Sequence, residues 1–268
     1  MSVEIRVKKQ LRDYVLDVDM MVKDEDIHVL FGRNGSGKTT ILKMVAGLMQ
    51  PDSGRIVING SVLFDSEAGI NLPVDQRGTG FMFQNYALFP HMTVLGNLAF
   101  GLKVKRLREK EIIETVRPYM EEYSLWELKD VRISNLSGGQ RQQVALLRTL
   151  VLGPNIFLLD EPLNALDTGA QTTIRKEIRT LIRRTRTPCI IVTHDIGDAV
   201  ELGDSACLLD QGRIVKRGKP SEAIASIGMT LPVSSLSWQT SEERPSIHGL
   251  SLPQTCSGQN GNDLEARK

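Results

Sequence analysis

The chain carries 33 Lys+Arg against 32 Asp+Glu over 268 residues, a formal net charge of +1, with 41% apolar and 24% charged residues. That composition suits one sizeable globular domain, with or without an appendage. It lends no support to a broad basic face for nucleic acid, although a local patch can hide in a neutral sum, so nucleic acid is not an expected partner. No apolar run reaches about 18 residues, the length that crosses a bilayer, so any link to a membrane must come through another protein. Residues 1–10 alternate charged and apolar side chains without an apolar core, which is not the pattern of a signal peptide. Cys189, Cys207 and Cys256 have no metal-ligand spacing and no paired framework; the first two lie in or beside apolar runs and read as buried thiols in a reducing cytosol.

Val3, Ile5 and Val7 alternate with polar residues, and residues 14–20 continue that period of two, which predicts strands. Residues 27–31 form a short apolar run ending in a glycine loop, as a buried strand should. Beyond the loop, Ile41, Leu42, Val45, Ala46 and Leu48 recur at helical spacing and predict a helix over 39–49. Residues 54–59 return to strand-like alternation. From about 85 to 150 the pattern is mainly helical, with helices expected over 109–120 and 140–152. The compact apolar runs at 155–160 and 188–193 read as central strands of a parallel sheet. Between them Ile174, Ile178, Leu181 and Ile182 give a helix an inward face, with arginines outside. Residues 206–216 suggest a closing hairpin that turns near Gln211 and Gly212. From about Met229 Ser, Thr, Gln, Asn, Gly and Pro dominate and periodicity fades, which predicts a flexible tail.

The strongest chemical signal is Gly32-Arg33-Asn34-Gly35-Ser36-Gly37-Lys38-Thr39-Thr40, which fits G-x-x-x-x-G-K-[ST] between an expected strand and an expected helix. Glycines let the backbone wrap round phosphates with its N–H groups aimed inward, and the helix start adds a favourable dipole end. Lys38 is placed to reach β- and γ-phosphates and the Thr39 hydroxyl to ligate Mg²⁺. The second signal is the apolar run that ends in Asp160 and Glu161. Ligands bind at the carboxyl ends of strands in open α/β sheets; there Asp160 suits a magnesium shell and Glu161 suits a general base that polarises water. Alone, two acidic residues after a strand are common; with the phosphate loop they carry weight. Between these motifs stands Leu136-Ser137-Gly138-Gly139-Gln140, a Ser and two glycines opening a helix, hence a further anion-binding helix start.

In this order the three motifs resemble those of ATP-binding-cassette (ABC) transporter ATPases, over about residues 1–225. The resemblance implies an α/β fold: a P-loop NTPase with a RecA-like core and parallel sheet, an N-terminal antiparallel β subdomain, and an inserted α-helical signature subdomain at about 85–150. Residues 226–268 are then a polar tail, without the oxyanion-binding β-domain that many molybdate-importer ATPases carry. The family shares its nucleotides: two chains sandwich two ATPs head to tail, and Ser137, Gly138, Gly139 and Gln140 of one copy would cover the γ-phosphate held by the other. Gln84 matches the glutamine that senses Mg²⁺ and joins the catalytic set with Lys38, Glu161 and His194. His194, after the apolar run 190–193, matches a switch histidine on the γ-phosphate; His28 and His91 read as structural. Asn164, Ala165, Leu166 and Asp167 resemble the loop that crosses the dimer interface, with Asn164 where Ser is frequent. The place of the family's adenine-stacking aromatic falls near residues 9–11, which are not aromatic. Tyr14 is the nearby candidate, with a core or edge-strand role as the alternative.

Among importers, the stretch 62–73 with Gln76 and Arg77 looks most like the molybdate-importer ATPases, while residues 85–94 are shared more broadly. The resemblance implies an ATPase with ATP and Mg²⁺ as ligands, working at the cytoplasmic face of the membrane through permease subunits, with a periplasmic or extracellular substrate-binding protein as an indirect partner. Its cargo would be an oxyanion, molybdate above sulfate, iron, a sugar or a polyamine. The aromatics near 86–91 would be either core or part of a groove for a permease helix. A soluble cassette acting on nucleic acid or ribosomes is the other reading, disfavoured because no second phosphate loop follows.

Overall fold

The computed structural model describes residues 2–164 and 168–225, with the backbone alone for 168–170; the expectations for Asp167 and for the tail beyond 225 lie outside these. Ser2–Gln10 (β1) and Val15–Lys23 (β2) pair antiparallel along their whole length. Ser53–Ile58 (β4) adds to β1, and Ser61–Asp65 (β5) and Ile70–Asn71 (β6) extend the sheet by further antiparallel pairs. On these strands Val3, Ile5, Val7, Leu16, Val18, Met20 and Val22 face inward. The outward residues make cross-strand ion pairs, Arg6 with Asp19 at 3.5 Å and Lys8 with Asp17 at 3.1 Å, solvated contacts that set register more than stability.

Ile27–Phe31 (β3), Thr79–Met82 (β7), Ile156–Asp160 (β8), Cys189–Thr193 (β9) and Ser205–Asp210 (β10) pair in parallel in the order β10-β3-β9-β8-β7. Every residue of β3, β8 and β9 is buried, as their unbroken apolar runs require of strands covered on both faces. Arg213–Gly218 (β11) turns back antiparallel on β10 and meets β2 through the pair Arg213–Asp17, which joins the described strands into one sheet. The expected turn is there: Gln211 has φ 42° and Gly212 φ 80°, both in the left-handed region that a tight two-residue hairpin demands.

Lys38–Ala46 (α1) follows β3 and buries Ile41, Leu42, Met44, Val45 and Ala46 in a core shared with both kinds of strand. It ends three residues earlier than its apolar spacing suggests, at Gly47, whose N–H bonds back into the last turn. The helical stretch begins later than residue 85: Val94–Val104 (α2) starts where the Thr93 hydroxyl accepts from the Gly96 N–H at 3.1 Å. Glu109–Glu122 (α3) follows. Gly138–Leu150 (α4) starts two residues earlier than expected, because Ser137 and Gln140 form a capping box. Thr168–Thr185 (α5), Ile196–Leu202 (α6) and Pro220–Ala225 (α7) complete the described helices. None is long and apolar enough to cross a membrane.

Two buried polar side chains hold this frame. Arg77 is 1% exposed, and its guanidinium donates to the Leu72 carbonyl at 2.8 Å, to the Met44 and Val45 carbonyls at 2.8 and 3.0 Å, and to Asn71 Oδ1 at 2.6 Å. A cation thus sits on two of the terminal carbonyls at the negative end of α1, Met44 also accepting from the Gly47 N–H at 3.2 Å. His28, as expected, is structural: it is buried on β3 with Nδ1 2.8 Å from Ser205 Oγ, and burial pulls its pKa down to about 4. Cys189 and Cys207 are buried thiols, burial raising both and Cys207 to about 11.

Replacing Arg77 by Met takes a charged donor from the Leu72, Met44 and Val45 carbonyls and from Asn71 Oδ1, so Arg77→Met should lose about 3 kcal/mol, a fall in Tm on the order of 10 °C, read by thermal unfolding; an unchanged Tm contradicts its role as helix cap. His28 takes up protons in the unfolded chain near its ordinary value of 6.5 but in the fold only near 4. Stability is therefore full above pH 6.5 and lost as pH falls towards 4. In His28→Gln that part of the pH dependence should vanish from urea unfolding curves between those limits.

Candidate functional site

Three parallel strands bring their carboxyl ends to one edge of the sheet, and each is followed at once by a chemically distinctive residue: Gly32 after β3, Glu161 after β8, His194 after β9. Gly32 is obligatory, since a Cβ there would stand 2.1 Å from the Leu209 carbonyl oxygen of β10. The loop then folds back over Lys38, whose Nζ donates to the Gly32 and Arg33 carbonyls at 2.8 and 2.9 Å. Lys38 is 5% exposed; burial lowers its pKa while Glu161 and Asp160 oppose that shift. No side chain caps the amino end of α1 at Gly37, so its first N–H groups and dipole are presented to the cleft.

Thr39 Oγ1 donates to Asp160 Oδ1 at 2.8 Å, joining the start of α1 to the end of β8. Asp160 is 4% exposed, and burial, with Glu161 alongside, pushes its pKa up against the opposing pull of Thr39, Lys43 and Lys38. Glu161 takes φ 48°, a left-handed conformation that costs a non-glycine residue on the order of 1–3 kcal/mol. Its N–H is held by the Val192 carbonyl at 2.9 Å. The carboxylate accepts from Gln84 Nε2 at 2.7 Å and from Asn164 Nδ2, both on Oε2, while His194 Nδ1 stands 3.2 Å from Oε1.

The turn carrying His194 is itself braced. Thr193 Oγ1 accepts from the Asp195 N–H at 3.0 Å and donates to Asp198 Oδ2 at 3.3 Å, and Asp195 caps α6 through the Asp198 N–H at 2.9 Å. From α5, Arg175 donates to Asp198 Oδ1 through Nε at 2.9 Å and Nη2 at 2.6 Å. Sequence reading missed Arg175 and Asp198; an Asp three residues after a capping Asp was the available signal.

Tyr14 lies in the turn between β1 and β2 rather than in a strand. Its hydroxyl donates to the Gly35 carbonyl, and its ring edge fills the space where a Cβ on Gly212 would sit. With Leu11, Arg12 and Asp13 it walls a cleft floored by Asn34, Gly35, Gly37, Lys38, Thr39, Thr40 and Glu161. Arg12 and Asp13 were not read as site residues, since an exposed turn carries no phosphate pattern. Ser36 turns inward with its hydroxyl buried and unpartnered. Ser137, Gly138, Gly139 and Gln140 do not line this cleft. They form the amino end of α4, where exposed Ser137 Oγ accepts from the Gln140 N–H at 3.2 Å and Gln140 Oε1 from the Ser137 N–H at 3.0 Å. Gln84 reaches Glu161 rather than the Thr39–Asp160 pair.

Such a cleft can hold a polyphosphate on backbone N–H groups and an ammonium, beside a carboxylate and an imidazole that can handle a proton. The paired oxygens of Thr39 and Asp160 are hard donors that fit Mg²⁺. Among the described residues no cluster of three or more His, Cys, Asp or Glu forms a metal cage.

Residues 15–164 match the family model for the ABC transporter. The chain is 41% identical over 208 residues to the trehalose/maltose import ATP-binding protein MalK of Thermococcus litoralis, covering 78% of this chain and 56% of that one. It is 44% identical over 210 residues to the sulfate/thiosulfate import ATP-binding protein CysA 2 of Agrobacterium fabrum, covering 78% and 60%. To the molybdenum import ATP-binding protein ModC of Vibrio parahaemolyticus it is 36% identical over 244 residues, covering 90% and 64%. The chain thus spans between 56% and 64% of these relatives' lengths. Among solved structures, cbiO1 of Clostridium perfringens, part of the transporter complex cbiONQ, superposes with TM-score 0.73 at 27% identity over 85% of this chain and 92% of that one. A dimeric ATP-binding cassette in a post-hydrolysis state bound to ADP and Pi gives 0.69 at 26%, over 82% and 99%. The expected fold, a P-loop core with antiparallel β and helical additions, is therefore the fold found.

Asp160 has a folded-state pKa above its unfolded one, so folding disfavours its charged form. The penalty is absent below the unfolded carboxylate range, grows as pH rises through the folded value and is complete at neutral pH. Asp160→Asn should therefore raise the Tm of the ligand-free protein by a few degrees at pH 7, with the gain gone near about pH 3.5. Equal Tm values at pH 7 would contradict the burial argument.

Proposed function

Because the chain belongs to the ABC transporter family, we propose that it binds and hydrolyses ATP to drive an importer. The observation that carries this reading is that the phosphate loop, Thr39 and Glu161 line one cleft, with Asp160 bonded to Thr39 and His194 beside Glu161 behind them. Gly32 to Thr40 would wrap the phosphates, Lys38 would meet β- and γ-phosphate oxygens, and Tyr14 with Leu11 would border the base. Thr39 and Asp160 would hold Mg²⁺, whose charge would offset that of the phosphates, while Gln84 is bonded to Glu161 instead. Glu161 would take a proton from the attacking water as its oxygen bonds to the γ-phosphorus and the bridging P–O bond breaks, releasing ADP and phosphate. His194, beside Glu161, would hydrogen-bond the γ-phosphate and orient that water.

The exposed amino end of α4 supports a head-to-tail homodimer in which Ser137, Gly138, Gly139 and Gln140, together with Asp167, close over the second copy's nucleotide; two similar cassettes of known structure are dimers. Closure stabilised by phosphate contacts from both copies would move permease subunits to their other access state. The chain would thus sit at the cytoplasmic face of the membrane through those subunits. For cargo we favour an oxyanion, molybdate first. Three relatives are molybdenum import ATP-binding proteins, and their matched regions reach 82–94% of this chain, against 77–78% for the maltose and sulfate proteins at higher identity.

Glu161→Gln should cut ATP turnover about 100-fold or more while keeping nucleotide affinity, and Lys38→Ala should weaken both, measured by phosphate release and nucleotide titration. Wild-type turnover in the first variant rejects the base assignment. In the complex reconstituted with its membrane partners and binding protein, molybdate should stimulate hydrolysis; stimulation by sulfate or maltose alone rejects the cargo.

A further inference from the structure

The carboxylate of Glu161 and the amide of Gln84 meet at 2.7 Å, yet they stand on different loops, one after β8 and one after β7; the ladder pairs end at Asp160 and Met82, and the sheet reaches past them only through the Glu161 N–H on the Val192 carbonyl at 2.9 Å. What fixes both is a third element. Gln142, on the second turn of α4, is 1% exposed, an amide that burial penalises unless both of its ends are bonded. Its Nε2 donates to the carbonyl of Pro162, the residue after Glu161, and its Oε1 accepts from the Tyr86 hydroxyl at 3.5 Å, two residues after Gln84. Tyr86 and Ala87 both have positive φ, 62° and 44°, and nearly two turns further along α4 the Arg148 guanidinium takes their carbonyls at 2.7 and 2.8 Å. The contacts close a ring: Gln84 to Glu161, Glu161 along the chain to Pro162, Pro162 to Gln142, Gln142 to Tyr86, and back to Gln84.

We propose that Gln142 is a positioning residue for hydrolysis, setting the separation and aim of Gln84 and Glu161 from the helix that begins at Ser137. The proposal rests on the reading of Glu161 as the group that activates water. Gln142 is buried and does not line the cleft; it acts by fastening two turns, one containing a left-handed Glu161 that relaxes away from its place once the Pro162 carbonyl is released. A purely structural buried amide lowers stability when removed and leaves turnover alone. A positioning residue lowers turnover at saturating ATP and leaves nucleotide affinity alone, because the phosphate loop stands on β3 and α1.

The test uses the full chain, with ATP and Mg²⁺, well below the Tm of each variant. Gln142→Met keeps the volume and removes both bonds; kcat should fall about ten-fold or more with KM and nucleotide affinity within two-fold of wild type. Gln142→Leu also removes both bonds without burying a charge, so it serves if the Met variant does not fold, and it should show the same split. In the Glu161→Gln background, Gln142→Met should lower the residual rate no further, since both changes act through one carboxylate. Unchanged kcat beside a lowered Tm overturns the proposal, and so does a multiplicative loss in the double variant. Wild-type turnover in Glu161→Gln alone instead removes the reading on which it stands, and the two failures are distinguishable.

Discussion

Parallel pairing of β3, β9 and β8 in near-flush register is the constraint from which the site follows. Phe31 stands opposite Thr193 and Asp160 opposite Val192, so three strands about 4.8 Å apart end within a residue of one another. Whatever follows them must share one small volume. Gly32 opens the phosphate loop there, Glu161 turns there through a left-handed step, and His194 arrives between them. The Thr39–Asp160 bond at 2.8 Å is the consequence rather than the cause: it requires only that α1 start where β8 ends.

That edge concentrates features a fold ordinarily avoids. Lys38 and Asp160 are buried ions, Glu161 is a strained residue next to a like charge, and the amino end of α1 lacks a side-chain cap. The opposite end of the same helix is organised in the reverse sense. Ile41, Leu42, Met44 and Val45 lie in the apolar core and Arg77 satisfies the terminal carbonyls. A helix anchored by its body and its carboxyl end can leave its amino end unsatisfied, which is the state in which that end binds an anion.

How much of this was legible in the sequence depends on the range of the interaction. The places of Asp160, Glu161 and His194 were readable because each sits at a strand end, and strands buried on both faces announce themselves as apolar runs; those of Lys38 and Thr39 were readable because a glycine pattern leads from a strand into a helix. The helix limits were misread where a cap outweighed the apolar pattern: at Thr93, which delays α2 past the turn at 85–93, and at Ser137 with Gln140, which advances α4. The short strands β5, β6 and β7 escaped because two to five residues hold too few periods. Arg77, Gln142, Arg148 and Arg175 were out of reach for a different reason: each is a polar side chain whose partners are backbone carbonyls or a carboxylate on another element, and no local pattern encodes such a partner.

Glu161 is positioned by contacts from segments remote in sequence: Gln84 beyond β7, His194 beyond β9, and the Val192 carbonyl within β9. Only the last is part of the sheet ladder. The loop of Gln84 and the turn of Glu161 are fastened instead to α4, by Gln142 and Arg148. Adjacent turns of a helix share hydrogen bonds and move as one body. The exposed Ser137 and the buried Gln142 therefore belong to a single rod, five residues apart, with one end at the surface and the other against the turn of Glu161. On the proposed role of Gln142, a ligand at the Ser137 end would change the aim of the carboxylate without contacting it, whereas the phosphate loop rests on β3 and the buried body of α1; binding and turnover would then rest on different supports.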